Sequence, residues 1–233
     1  MHDLEQKILR NHPIENFLEE KFRSFGFAQL TNIQKKAIPV IYQKKNSLII
    51  APTGSGKTEC SVIPIISHEK KTKEQGKIKV LYITPLRALN RDVFRRIIKY
   101  AEQDCLTIQI RHGDTSQTVR KKISDSPPDI LITTPETLVI LLTQKKMLTA
   151  LSELEWVIID EVHELLASER GSQLSLSLER LQLNSNQKII RNGLSATIGN
   201  TDDAAKFLVG TNRPCEIVQD KTIRNYEVEI KFV

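Results

Sequence analysis

Apolar residues in this chain come in short, unbroken runs rather than in alternation with polar ones. Ser47–Ile50 (SLII), Ile78–Ile83 (IKVLYI), Thr107–Ile110 (TIQI), Asp129–Thr133 (DILIT), Trp156–Asp160 (WVIID) and Lys188–Ala196 (KIIRNGLSA) are of this kind. Such runs predict strands covered on both faces. Between them, Leu86–Tyr100 and Pro135–Leu142 carry the three-to-four spacing of a helix, and Ile14–Phe25 and Gln34–Tyr42 predict helices ahead of the first strand. Alternating strands and helices predict an α/β fold with a central, mostly parallel sheet and helices on both faces. The polar stretch His68–Lys77 reads as a surface loop, and Tyr226–Val233 alternates as a strand does. No repeat or low-complexity segment interrupts the pattern.

Composition narrows the class. A chain of 233 residues with 39% hydrophobic and 27% charged residues suits one soluble globular domain. Lys and Arg number 34 against 28 Asp and Glu, a net +6 that makes a polyanion a plausible partner without proving one. Cys60, Cys105 and Cys215 are odd in number and widely spaced, which fits neither a disulfide framework nor a zinc knuckle. That pattern points to a reducing, cytoplasmic setting, or the nucleus in a eukaryote. Lys and Arg break every apolar run short of a membrane span, and the start MHDLEQKILRNHP lacks the apolar core of a signal peptide.

The most specific chemistry follows the first strand. Ala51-Pro52-Thr53-Gly54-Ser55-Gly56-Lys57-Thr58 matches a phosphate-binding loop, except that Ala51 replaces the usual first glycine. Gly54 and Gly56 allow backbone conformations and close approach that a Cβ would block. Loop N–H groups and the next helix's N-terminus then face the phosphates of ATP. Lys57 supplies charge to the β and γ phosphates, and the Thr58 hydroxyl is a ligand for Mg2+. A second acidic site is needed at a neighbouring strand end, and Asp160, closing WVIID, qualifies as the other metal holder. Glu161 sits where a carboxylate orients or deprotonates the attacking water, and His163 lies within reach of the γ phosphate.

Thr84-Pro85 and Thr134-Pro135 each follow a buried-type strand and precede a helical segment. Thr is a good N-cap and Pro suits the first helical position, so each pair predicts a helix start with free N–H groups for a phosphate. Two well-capped helices with no ligand are the plainer alternative. Arg87 and Asn90, near the first of these starts, are the better candidates for contact with a nucleic-acid strand; Arg91 and Arg95 read as a solvated face. Aromatic content of 5% argues against a base-stacking platform.

Taken together, Asp160-Glu161-Val162-His163, the phosphate loop and Ser195-Ala196-Thr197 resemble the first RecA-like domain of a superfamily 2 helicase of DEAD/DEAH type. Thr31-Asn32-Ile33-Gln34 resembles the glutamine motif of that superfamily, with Asn32 where proline is common. Thr84–Asn90 and Thr133–Glu136 resemble its nucleic-acid motifs. Arg111-His112-Gly113-Asp114-Thr115, Glu169-Arg170-Gly171 and Leu176–Leu181 narrow the resemblance to the large helicase-related (Lhr) family. The resemblance implies that Gln34 pairs with the adenine edge and Phe27 packs on the base. It implies that Arg111, His112, Gly113 and Asp114 join Thr84, Pro85, Thr134 and Pro135 along the strand. Ser195, Ala196 and Thr197 are implied to couple hydrolysis to movement.

On this reading residues 1–29 form a helical extension with adenine-side contacts and 30–222 the RecA-like ATP-binding domain. Residues 223–233 form a strand or linker toward a second RecA-like domain. Such a partner domain supplies arginine fingers that raise phosphoryl-transfer rates roughly 10³–10⁵-fold. The chain alone is therefore expected to bind nucleotide, hydrolyse it weakly and leave duplexes closed. A transport or assembly ATPase with the same loop, and a nucleic-acid module whose nucleotide is only structural, remain alternatives.

Overall fold

The computed structural model describes the backbone of residues 13–69, 76–85 and 87–220, and the side chains of 19–69, 76–85 and 94–220. The segments 1–12 and 221–233, with the alternating run Tyr226–Val233, lie outside the described residues.

Among the described residues seven strands form one sheet in the order β3-β4-β2-β5-β6-β1-β7, and every pairing is parallel. They are β1 Ser47–Ile50, β2 Val80–Ile83, β3 Ile108–Arg111, β4 Ile130–Thr133, β5 Trp156–Ile159, β6 Ile190–Ser195 and β7 Glu216–Gln219. The inner strands are buried at every position, whereas edge strands β3 and β7 are not. The unbroken apolar runs have a direct cause here. Alternate side chains of each inner strand feed two separate cores. Ile49, Val80, Tyr82, Ile132 and Ile158 enter one, and Leu48, Ile50, Leu81, Ile83 and Val157 enter the other.

The first core is closed by α1 Pro13–Ser24, α2 Asn32–Tyr42, α3 Lys57–Glu69 and α4 Arg87–Gln103. Phe22 of α1 is 1% exposed within it, so the N-terminal helix is packed into the same domain as the sheet. The opposite face is covered by α6 Pro135–Leu141, α7 Lys145–Ala150, α8 Val162–Leu165, α9 Glu169–Asn184 and α10 Thr201–Val209. The short α5, Gln117–Asp125, follows β3.

Helix α9 alternates apolar and polar residues over LSLSL, a strand-like pattern, yet it is helical. Ser168 caps it by accepting from Gly171 N–H at 3.1 Å, and Leu174, Leu178 and Leu181 bury one face. Gly171 allows a tight approach, since a Cβ there would stand 1.9 Å from Leu165 O. Farther along, Glu179 accepts from Arg191 of β6 at 2.8 Å and from Arg213, just before β7, at 2.7 Å. The Arg213 hydrogen bond is the main reason its carboxyl is held down at about 2. Helix α9 thereby fastens the polar centre of β6 and the approach to the edge strand.

Parallel register lines up the carboxyl ends of the strands. Ile83 pairs with both Thr133 and Ile159, and Ile50 with Ser195. Thr84, Thr134, Asp160, Ala51 and Ser195 therefore share one edge of the sheet, where ligands of open parallel sheets bind.

Candidate nucleotide site and the adjoining strand-end corners

The phosphate loop springs from β1 and opens α3 at Lys57. Gly54 and Gly56 take positive φ values of 74° and 88°, as the sequence requires of them. Gly56 is also a place of close approach, because a Cβ would lie 2.2 Å from Gln34 Nε2. Ala51, where the pattern has its first glycine, is buried and its N–H donates to Ser195 O at 3.1 Å. Pro52, Thr53 and Gly54 are exposed at the loop crest. Lys57 Nζ lies across the loop, donating to Ala51 O at 2.6 Å and Pro52 O at 3.1 Å. Burial pushes its ammonium down from the usual range, against the pull of Glu161 and Asp160.

Gln34 holds the phosphate loop. Thr31 and Gln34 form a capping box on α2, with Gln34 Oε1 accepting from Thr31 N–H at 2.9 Å. Gln34 Nε2 donates to Gly56 O at 3.3 Å, and Thr31 Oγ1 donates to Ser55 O at 2.8 Å. The residue is 1% exposed, so its amide props the phosphate loop and keeps one N–H and one lone pair for a base. Phe27 is half-buried against Phe22, with ring centroids 5.5 Å apart, and lines a cavity of about 170 Å³ with Arg23, Leu30 and Lys35.

Asp160 follows β5 and is buried. Its Oδ1 accepts from Glu161 N–H at 3.0 Å and its Oδ2 from the Tyr82 phenol at 2.5 Å. Burial raises its carboxyl; the Tyr82 bond, the Glu161 N–H, Lys57 and Arg96 oppose that rise. Glu161 is a non-glycine residue in the left-handed region, φ 48° and ψ 49°, a strained backbone of the sort found at functional sites. Burial and the neighbouring Asp160 push its carboxyl up, against the pull of Lys57 and His163. Its Oε2 is buried without a hydrogen-bond partner among the described residues, with His163 Nδ1 3.5 Å away. His163 Nδ1 also lies 2.9 Å from Ser195 Oγ, which donates to Thr197 O at 3.2 Å. Ala196 stands between the two, half-buried. The Asp-Glu-Val-His and Ser-Ala-Thr segments are thus in direct contact.

The donor set suits Mg2+. Thr58 and Asp160 offer a hydroxyl and a carboxylate oxygen, and Mg2+ prefers few protein oxygens completed by phosphate and water. No group of three or more His, Cys, Asp and Glu among the described residues forms a cage for another metal. Ser55 Oγ, buried without a partner in the loop, is a further orphaned polar atom at the same place.

The two Thr-Pro corners differ. Thr134 caps α6, accepting from Thr137 N–H at 3.4 Å, with buried Pro135 at the first helical positions, as expected. Among the described residues Thr84 Oγ1 is buried without a hydrogen-bond partner, Thr84 N–H donates to Thr133 O at 3.1 Å, and helix α4 runs from Arg87. The side chains of Arg87 and Asn90 lie outside the described residues. Arg111 is buried at the end of β3. It is 4% exposed, and its guanidinium donates inward to Gln144 Oε1 at 2.9 Å and Ser124 Oγ at 3.4 Å. Burial, then Arg120, pushes its pKa down. His112, Gly113 and Asp114 form an adjacent turn, closed by Thr115 Oγ1 accepting from His112 N–H at 2.9 Å; Gly113 and Asp114 are exposed.

Tyr82, Arg96 and Arg170 also belong to this edge, although none was expected to bear on the site. Arg96 reaches Thr58 Oγ1 at 3.4 Å and Glu59 at 3.3 Å. Arg170 donates to Pro85 O at 2.6 Å and pairs with Glu136. A hydroxyl inside the apolar run VLYI was the one available signal for Tyr82; Arg170 stood in the Glu169-Arg170-Gly171 segment, and Arg96 carried no signal beyond its type.

Known proteins place the chain. The sequence profile of the DEAD/DEAH box helicase family matches residues 31–204. The ATP-dependent helicase Lhr-Core of Methanocaldococcus jannaschii is 38% identical over 237 residues, covering 95% of this chain and 27% of that protein. The helicase Lhr of Mycobacterium smegmatis, solved with ssDNA and AMP-PNP, superposes with a TM-score of 0.80 at 37% identity, over 89% of this chain and 28% of that one. The DEAD-box helicase Mss116, bound to ssRNA and UDP-BeF, shares the fold with a TM-score of 0.75 at 23% identity, over 86% of this chain and 42% of its own. The chain spans about a quarter of the length of Lhr-Core. With a parallel sheet, a phosphate loop and Asp160–His163 on one edge, and the family profile running through all of them, the chain belongs to the DEAD/DEAH box helicases.

Proposed function

We propose that this domain binds ATP with Mg2+, hydrolyses the β–γ bond, and couples that step to movement along single-stranded DNA or RNA. Its activity as a motor is shared with a second RecA-like domain. The observation that carries the reading is the continuity of the carboxyl edge, from Lys57 through Asp160, Glu161 and His163 to Ser195 and the Thr-Pro corners. Loop N–H groups and Lys57 cradle the phosphates, and Lys57 releases its two carbonyl partners to meet them. Thr58 and Asp160 would hold Mg2+, which would supply charge neutralisation to the phosphates when bound. Glu161 Oε2, buried and without a hydrogen bond, accepts the proton of the attacking water. His163 reads the state of that carboxylate and passes it to Ser195.

The backbone around Thr134 and Gly113 tracks the strand, with little base readout. The test is ATP turnover with and without a single-stranded oligonucleotide, DNA and RNA in parallel, for the wild type and Glu161→Gln. Strand-dependent turnover that falls at least a hundredfold in the variant is expected, with nucleotide binding retained. Turnover indifferent to strands favours a transport or assembly ATPase. Strand-dependent activity unchanged by the variant favours a structural nucleotide.

A further inference from the structure

Tyr82 is an anomaly in its strand. Its β2 neighbours Val80, Leu81 and Ile83 are apolar, its register partners are Ile132 and Ile158, and it is 0% exposed. A buried phenol is tolerated where its O–H finds a partner. This one donates to Asp160 Oδ2 at 2.5 Å. The phenol thus holds one of the two residues read as metal holders, the carboxylate at the end of β5.

We infer that Tyr82 is a positioning residue that sets the orientation of Asp160, so that its carboxylate is prearranged for Mg2+; the inference rests on the reading of Asp160 and Thr58 as the metal holders. With Oδ2 held by the phenol and Oδ1 by Glu161 N–H, the Asp160 carboxylate has one donor on each oxygen and cannot turn about its χ2 bond without losing both. Each oxygen keeps a lone pair for the ion's shell. The same Glu161 N–H bond ties the strained backbone of Glu161 to that orientation, so the phenol acts on the water-facing carboxylate through Asp160. Outer-shell partners of this kind fix the direction of metal ligands and contribute to affinity.

The test measures Mn2+ binding to the chain at saturating ADP by electron paramagnetic resonance, for the wild type, Tyr82→Phe, Asp160→Asn and the double variant. Fluorescent ADP binding in EDTA serves as the metal-free control. Tyr82→Phe is expected to weaken Mn2+ about tenfold while metal-free ADP affinity changes less than about twofold. The double variant is expected to bind Mn2+ no more weakly than Asp160→Asn alone, which a general loosening of the fold would not produce. Tyr82→Leu, an ordinary strand-core residue, carries the same expectation should Tyr82→Phe fail to fold. Wild-type Mn2+ affinity in the Tyr82 variants beside a loss in Asp160→Asn overturns the inference and spares the metal site. Wild-type affinity in Asp160→Asn overturns the metal reading itself.

Discussion

The chain uses the dipeptide Thr-Pro twice at the same structural address, the carboxyl end of adjacent parallel strands, and holds the two corners by different physics. At Thr134 the means are local. The hydroxyl caps α6, proline opens the helix, and three residues of sequence suffice to specify the corner. At Thr84 the hydroxyl has no partner among the described residues, the helix runs from Arg87, and the corner is held from a distance by Arg170 on α9, through Pro85 O. Arg170 also pairs with Glu136, in the first turn after the Thr134 corner. One arginine, a few residues beyond the Asp-Glu-Val-His segment, therefore spans both corners. The lesson is that a short motif reports its own conformation only when the hydrogen bonds that stabilise it fall within the motif.

Removing the arginine should break the comparison most sharply. Arg170→Ala is expected to weaken single-strand binding about tenfold, within the range of coupling losses seen along such networks, and to leave ATP affinity unchanged. Fluorescence anisotropy with a labelled oligonucleotide measures the first and a nucleotide titration the second. Equal strand affinity for both proteins would mean that the Pro85 corner holds itself.

The two threonines give a smaller effect with opposite signs. Thr134→Val removes a cap and should cost about 1 kcal/mol. Thr84→Val removes a buried hydroxyl that makes no bond, so it should be neutral or stabilise by up to about 1 kcal/mol. Urea unfolding of the pair decides; a loss at Thr84 as large as at Thr134 would erase the distinction. If Thr84→Val weakens strand binding while leaving stability intact, the hydroxyl serves a phosphate and not the fold.

The smallest effect is on pH. Burial by itself raises the Glu136 carboxyl, but hydrogen bonds from Arg170, its own backbone and the Thr134 hydroxyl outweigh it and leave it below 4.5. A carboxyl depressed in the folded protein binds its proton more weakly there than in the unfolded chain. Its contribution is therefore complete above the unfolded value and is lost as pH falls through the folded one. Strand affinity of the wild type should approach that of Arg170→Ala as pH drops below 4.5, while Glu136→Gln loses this acid-sensitive component.

Much of the nucleotide site was legible because its signals are strict. Glycine at positive φ, a lysine beside it, and a carboxylate closing a buried strand each follow from backbone geometry or burial that few residues satisfy. Gln34 and Arg111 show what residue type leaves unsaid. The Gln34 amide joins Thr31 in a capping box legible from the spacing and also reaches Gly56, and the Arg111 guanidinium reaches Gln144 and Ser124. Gly56, Gln144 and Ser124 are partners that no local spacing announces. Helix α9 was obscured for a related reason, since LSLSL alternates as a strand does until Ser168 caps it and its leucines find the sheet.

By itself the sequence determined the order of strands and helices along the chain, the phosphate loop, and the carboxylates at a strand end. Those depend on local conformation and on burial, which residue type and period encode. Only the tertiary structure decided the strand order β3-β4-β2-β5-β6-β1-β7, and with it which strand ends share an edge. The tertiary structure also decided that Tyr82 meets Asp160, that Arg170 spans two corners and that Arg111 turns inward. Each of these is a contact between residues far apart in the chain, and such contacts are selected by packing and hydrogen-bond satisfaction over the whole fold.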